Sequence, residues 1–303
     1  MLITGYFMCK STISAKKFAK LVLAVLFWRF LIHAIFWISG YSEFSIKKLI
    51  KCLLLITDIG VGFTQSYIMF FLFIPFINIL VRNLSQKQHV LLLLLSLFVY
   101  TVLGTFKFVF SVNMNYVSWF FVLYLLSSYV RMYPNRWCDK TRLWGWMSAL
   151  FLSISAASVV VCAMCDKDGY YFVEDSNTFL ALATAFSAFM FFKNVKIRYS
   201  PFINGVAATC FGVLLIHAHS DAMRQWLWRD LLHNAEMYNS SWIYVHSIAS
   251  AIGVFVVCSA MEFVRLQIVE KPFFKLWDKK YDGIEAKLKR LSGGIINRIK
   301  NAE

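Results

Sequence analysis

The chain contains a series of apolar runs, most of them long enough to cross a bilayer as α-helices, for which about 20 apolar residues suffice. With 59% hydrophobic and only 16% charged residues, it has more apolar surface than a soluble core could bury. The sequence therefore predicts an all-α fold, a polytopic transmembrane helix bundle. Eight candidate spans, the fourth and seventh of them short, lie at residues 20–40, 62–81, 89–111, 116–131, 144–164, 176–193, 204–220 and 242–264.

One further apolar run is too short to span. Residues 44–59 combine three lysines with an apolar stretch that stops at Asp58. Basic residues beside a short apolar face are typical of helices that lie at the membrane surface. We expect an amphipathic helix here, lying in the interface or re-entering the bilayer.

The basic residues are distributed unevenly about these spans. With the amino terminus inside, the inner segments hold 23 of the 31 lysines and arginines, which predicts that both termini are cytoplasmic. The net charge of +15 then suits membrane lipids or an anionic cosubstrate, and we expect no nucleic-acid partner. We predict a single transmembrane domain over 1–270 and a basic cytoplasmic tail over 271–303.

Arg29 and His33 are ionisable residues within the first span, four positions apart and therefore on one helix face. A charge at the centre of a span costs ~2.5 to 3.5 kcal/mol. The pair either binds an anionic or sugar substrate or is satisfied by carbonyl groups or an acid nearby. Lys107, near the end of another span, is expected to extend to the interface.

Two histidines end the apolar run 211–219. His217 and His219 are two positions apart, about 200° around a helix, so they cannot face one ligand unless the helix has ended there. His217 lies deeper and is the predicted site residue, whereas His219 is expected to meet water. A capping or interfacial histidine is the alternative reading.

Two further groups have simple expected roles. Glu262 and Arg265 are predicted to form a local ion pair at the inner end of the last span, after which Pro272 ends the helix or turns the chain. Of the seven cysteines, only Cys162 and Cys165 are close, without a histidine at ligand spacing. We expect no metal.

Aromatic and polar residues mark the predicted outer rim. The predicted substrate-binding residues are Tyr67, Trp119 and Asn115. The rings of Tyr67 and Trp119 are expected to stack on a sugar. An ordinary interfacial aromatic belt is the alternative for the two rings.

Several motifs occur in order along the chain: Gly60–Tyr67 running to Ile74–Asn78, Trp119-Phe120 with Tyr124, Asn204 to His217, and Val269–Phe273. Each motif is weak alone, but their order and spacing are more specific. Together they resemble the acyltransferase-3 family of bacterial membrane proteins, most closely its surface-polysaccharide O-acetyltransferase branch.

The resemblance implies about ten membrane helices in a bacterial inner membrane. It also implies transfer of an acyl group from acetyl-CoA or another acyl-CoA to a hydroxyl of a cell-surface glycan or lipid-linked sugar. Under this reading His217, His33 and Arg29 are the catalytic candidates: His217 for proton relay or support, His33 and Arg29 for substrate or oxyanion contact.

The segment Met1–Phe7 resembles the end of the family's second span. We therefore expect the chain to lack the family's first span, which carries the histidine usually regarded as catalytic and an arginine before it. Two alternatives to the enzyme stay open: a transporter or flippase for glycans or lipid-linked sugars, and an inactive truncated family member.

Overall fold

The computed structural model describes residues 1–55, 57, 59, 62–106 and 114–280, and within them every regular element is a helix. Asp58, Lys107 and the tail 281–303 lie outside the described residues. The chain divides into two compact units: Met1–Ile13 with Ile56–Arg198, and Ser14–Leu55 with Tyr199–Glu303. The predicted domain boundary at residue 270 stays a prediction.

Among the described residues, the first unit contains the α-helices α1 (Leu2–Met8), α4 (Phe63–Asn83), α5 (Gln86–Thr105), α6 (Tyr116–Met132), α7 (Thr141–Met164) and α8 (Phe179–Asn194). The second contains α2 (Ala15–Ile38), α3 (Ile46–Leu53), α9 (Pro201–His217), α10 (Asp221–Leu231) and α11 (Ile243–Lys280), together with a short 3-10 helix, Glu236–Asn239.

Each predicted span corresponds to a helix, which confirms the fold class. Five of the described helices, α2, α4, α5, α7 and α11, are long and apolar enough to cross a membrane. The pair α9 and α10, bent by 97°, makes a sixth if it counts as one span. The helices α6 and α8 are shorter, with 17 and 16 residues.

A buried polar contact holds together the first unit. The Tyr124 hydroxyl donates to Asn78 Oδ1 over 2.6 Å, and Asn78 Nδ2 donates to the Met8 carbonyl oxygen over 2.9 Å. Gly5 allows α1 to approach α6 closely, because a Cβ at that position would overlap the Ser127 side chain. Together these contacts join α1, α4 and α6.

In the second unit α2 and α11 run antiparallel, joined by polar side-chain contacts. Lys16 Nζ lies 2.5 Å from Asp278, Lys20 Nζ lies 3.5 Å from Glu270, and Trp28 reaches Glu262. These contacts pair two lysines of α2 with two acids of α11.

The expectation that Pro272 ends the last helix is wrong. The helix continues to Lys280 through a π-helical segment at Leu266–Glu270, whose wider turn gives the proline ring the room that a regular α-turn denies. The predicted helix over 44–59 is shorter than expected: α3 spans Ile46–Leu53, and Leu54 is already extended.

Candidate functional site

Two histidines from distant parts of the sequence meet in the second unit. His33 lies on α2, and His219 lies in the bend between α9 and α10; Nδ1 of His33 is 2.8 Å from Nε2 of His219. The two rings pack edge to face, with centroids 4.6 Å apart. Both residues are partly buried.

The surrounding contacts fix where the shared proton lies. Nδ1 of His33 is also 2.8 Å from the carbonyl oxygen of Arg29, one turn earlier on α2. A carbonyl oxygen only accepts, so Nδ1 of His33 carries the hydrogen. This N–H is shared between two acceptors, the Arg29 carbonyl oxygen and His219 Nε2. The Nε2 atom of His33 therefore holds a lone pair and can act as a base.

The local sequence explains why His219 turns toward His33. The helix α9 ends at His217, and the next helix starts when Ser220 Oγ accepts a hydrogen bond from the Met223 amide over 3.2 Å. Serine is a preferred N-cap residue, and Asp221 suits the first turn of the new helix. Because α9 ends at His217, His219 lies outside the helix, and the helical separation of about 200° does not apply to this pair.

His217 makes a different contact. Its Nδ1 donates to the Val213 carbonyl oxygen over 2.6 Å, within α9, which leaves Nε2 as an acceptor. Among the contacts of the described residues, the structure brings His219 rather than His217 to His33. The predicted relay or support role of His217 stays a prediction.

Arg29 binds the end of α3. Its guanidinium donates to the carbonyl oxygens of Lys51 and Leu54, over 3.0 and 3.3 Å. A cation at a helix C-terminus is favourable, because the last carbonyl groups have no partner within the helix. This agrees with the alternative in which carbonyl groups satisfy Arg29, and the same contact helps to end α3 at Leu53.

An apolar cavity of about 1000 Å³ lies in the second unit, bounded by α2, α9, α10 and α11. Ile32, the residue before His33, and Ile216, the residue before His217, are part of its wall. A cavity of this size is at the upper end for small-molecule sites in proteins. His33 and His217 thus each follow directly a residue that lines this cavity.

The comparison with known proteins decides the family. A family model described as an acyltransferase domain matches residues 1–260. The chain belongs to the acyltransferase-3 family. No curated protein and no solved structure matches it. Together with its apolar helices, the family makes this chain an integral membrane protein and, in general terms, an acyltransferase.

The predicted substrate-binding residues of this acyltransferase all lie in the first unit. Trp119 is buried on α6, and the Tyr67 ring stacks on Phe63 at 6.3 Å, with its hydroxyl 3.3 Å from Thr4 Oγ1. Asn115 caps α6 by accepting from the Val117 and Ser118 amides. Their substrate role stays a prediction.

Two groups of this acyltransferase were missed or undervalued by sequence reasoning. His219 was expected to meet water, although the Ser220-Asp221 helix start was a readable signal that α9 stops before it. Glu262 and Arg265 do form the predicted ion pair, at 2.7 Å, but it is buried and also includes Glu270 and Trp28. Nothing local in the sequence indicates the Trp28 contact.

Proposed function

We propose that this protein is a membrane-bound O-acyltransferase that moves an acetyl group from acetyl-CoA to a hydroxyl of a lipid-linked sugar or cell-surface glycan. We place it in the bacterial inner membrane with both termini in the cytoplasm. The hydrogen bond between His33 and His219 carries the proposal, because it creates a base with a supporting partner among helices otherwise rich in apolar residues.

The base is Nε2 of His33. Its Nδ1–H is held between the Arg29 carbonyl oxygen and His219 Nε2, both at 2.8 Å. When Nε2 takes a proton, the ring becomes cationic and both of these acceptors stabilise it. His219 therefore acts as a positioning residue, in the way that a carboxylate orients the histidine of a catalytic triad.

Acyl transfer replaces the carbon–sulfur bond of the thioester with a carbon–oxygen bond to the acceptor. The acceptor hydroxyl loses its proton to His33 Nε2 while its oxygen forms a bond to the thioester carbonyl carbon. The carbon–sulfur bond then breaks, and the proton passes from His33 to the departing thiolate of CoA. We retain Arg29 as the proposed contact for the substrate or developing oxyanion, although in this structure its guanidinium donates to the Lys51 and Leu54 carbonyl oxygens. His217 Nε2 is a second proton acceptor for a relay.

The charge of the chain suits the donor. Acyl-CoA carries several phosphate charges, and the protein has a net charge of +15 with most of its cations in the segments predicted to be cytoplasmic. An acceptor on the opposite side requires the acyl group to cross the bilayer. Polar side chains within the spans can line a path for the acyl group through the helices.

Transfer of radiolabelled acetyl groups from acetyl-CoA to lipid-extractable and polymeric glycans, in membranes containing the full chain, tests the proposal. His33→Ala should lower the rate by about 10²- to 10⁴-fold, the usual contribution of a general base. His219→Ala should reduce kcat with little change in KM, and His219→Asn should restore part of it, because its amide oxygen can accept from His33 Nδ1.

His233 offers a matched control, since its side chain is 57% exposed and it lies in the same unit. His233→Ala should leave the rate unchanged. Full transfer by His33→Ala would overturn the proposed base. Movement of a lipid-linked sugar across vesicles without consumption of acetyl-CoA would instead favour the transporter.

A further inference from the structure

We propose that the apolar cavity of the second unit binds the hydrocarbon chain of a phosphate-bearing lipid, the carrier of a lipid-linked sugar acceptor. The identity of that lipid as acceptor rests on the proposed function. The chain would lie between α2 and α11, with its head at the Tyr41 end of the cavity.

The cavity has the shape and lining that a hydrocarbon chain needs. Its wall on α11 extends from Ala249 to Met261, which corresponds to roughly 18 Å of helix at 1.5 Å per residue. None of the described residues that line it is charged. An extended apolar chain can occupy this space without leaving a buried polar group unpaired.

Polar groups collect at one end of the cavity. Ser39 and Tyr41 follow the last turn of α2, and Ser250 Oγ is 3.4 Å from His246 Nε2 near the start of α11. The Tyr41 hydroxyl donates to Asp230 Oδ2 over 2.5 Å. A long apolar volume with polar groups at one end fits an amphiphile with a single head group.

The nearby charge favours an anionic head. The helix α3 follows the Tyr41 loop and packs back along α2 as far as Arg29, carrying exposed Lys47, Lys48 and Lys51. Three cations on one short helix attract a phosphate group at the membrane surface. On α10 the positive charge of Arg229 is instead neutralised by Asp230, at 2.8 Å.

The helix α10 lines the cavity and starts next to the bend that holds His219. Met223, Trp226 and Leu227 line the cavity from α10, whereas Asp221 on the same helix has 96% of its side chain exposed. This amphipathic helix turns 97° from α9, and His219 lies in the bend. The helix α10 thus links the polar end of the cavity, where Asp230 accepts from Tyr41, to the bend that holds His219.

The acyl chain of the donor is a poorer occupant. By the proposed topology, acyl-CoA approaches from the Lys16 end of α2, whereas the polar end of the cavity is at Tyr41, the opposite end of that helix. Several of the residues that line the cavity are exposed, and Gly253 and Val257 on α11 are among them. A lipid can enter there directly from the bilayer.

Glycines allow a matched test of this site. A Cβ added at Gly253, in the cavity wall, meets nothing within 4 Å, and the same is true of Gly205 on α9, which does not line the cavity. Gly253→Phe should therefore fill the cavity without a clash, and Gly205→Phe is the control. Val257→Phe is a second filling variant, and thermal unfolding verifies that each variant is folded.

The probe is a polyprenyl phosphate with a diazirine in its chain, photolysed with the full protein in phosphatidylcholine nanodiscs. We expect labelled peptides from α2, α10 and α11, at least tenfold less label in folded Gly253→Phe or Val257→Phe, and unchanged label in Gly205→Phe. His33→Ala should keep the label while losing acetyl transfer, so failure of the catalytic proposal is distinguishable from failure of this one.

Competition identifies the occupant. Unlabelled polyprenyl phosphate should displace the probe, and added phosphatidylcholine or phosphatidylglycerol should not. Equal displacement by either phospholipid would overturn the proposal in favour of ordinary bilayer lipid. Displacement by long-chain acyl-CoA but not by polyprenyl phosphate would overturn it in favour of the donor chain, as would full labelling of folded Gly253→Phe.

Discussion

The indole N–H of Trp28 donates a 2.6 Å hydrogen bond to Glu262 Oε2, and both side chains are buried. Glu262 also pairs with Arg265 at 2.7 Å, and Arg265 reaches Glu270 at 2.8 Å. A buried carboxylate is tolerated only when its charge and lone pairs have partners. The network therefore fixes α2 against α11, and both helices also line the cavity.

Glu262→Ala should destabilise the protein strongly, because it leaves the Trp28 N–H and one side of the Arg265 guanidinium without a partner. Removing one member of a buried pair costs about 3 to 5 kcal/mol. Glu262→Gln, which keeps an acceptor for Trp28, should cost less. Reversible unfolding in mixed micelles measures both. Glu236→Gln is the control, since that side chain is 76% exposed; equal stability of Glu262→Ala and this control would contradict the prediction.

Gly212 on α9 is packed against the same carboxylate. A Cβ at Gly212 would overlap the Glu262 side chain, whereas one at Gly205, on the same helix, meets open space. Gly212→Ala should lower the free energy of unfolding by about 1 to 3 kcal/mol, the usual cost of overpacking. Gly205→Ala should be neutral or slightly stabilising. The same unfolding assay compares them, and similar values for the two variants would refute close packing at Gly212.

The helices of this fold could be predicted from sequence because an apolar run of sufficient length is a local signal. The pairing of Arg29 with His33 on one face follows from helical spacing in the same way. The contact of His33 with His219 does not, because it joins residues 186 positions apart and depends on where α9 stops. Only the Ser220 helix start gave a local indication of that end.

The last helix shows how a local rule can fail. Pro272 is expected to end a helix, since its ring clashes with the preceding turn. Here the π-helical segment Leu266–Glu270 accommodates the ring and α11 continues. A widened turn of this kind has no clear sequence signature, so it could not be predicted from the sequence. The Trp28–Glu262 contact is equally nonlocal.

Arg29→Gln should loosen the end of α3, because the guanidinium donates to the Lys51 and Leu54 carbonyl oxygens. We expect faster trypsin cleavage after Lys51 in nanodiscs. Arg29→Lys should behave similarly, since an ammonium group lacks the planar fork that spans two acceptors. Arg224→Gln, at an exposed arginine on α10, is the control. Unchanged cleavage at Lys51 in both Arg29 variants would show that this arginine does not hold α3.

Tyr124→Phe tests the buried contact of the first unit. The substitution removes the hydroxyl that donates to Asn78 Oδ1 over 2.6 Å and leaves this oxygen buried without that donor, at a cost of about 1 to 3 kcal/mol. Tyr238→Phe, at a residue with 75% exposure, should have no effect. The double variant Tyr124→Phe/Asn78→Ala should be less destabilised than the sum of the single changes, because the two groups interact directly. Strict additivity in unfolding free energy would mean that the hydroxyl and the amide are energetically independent.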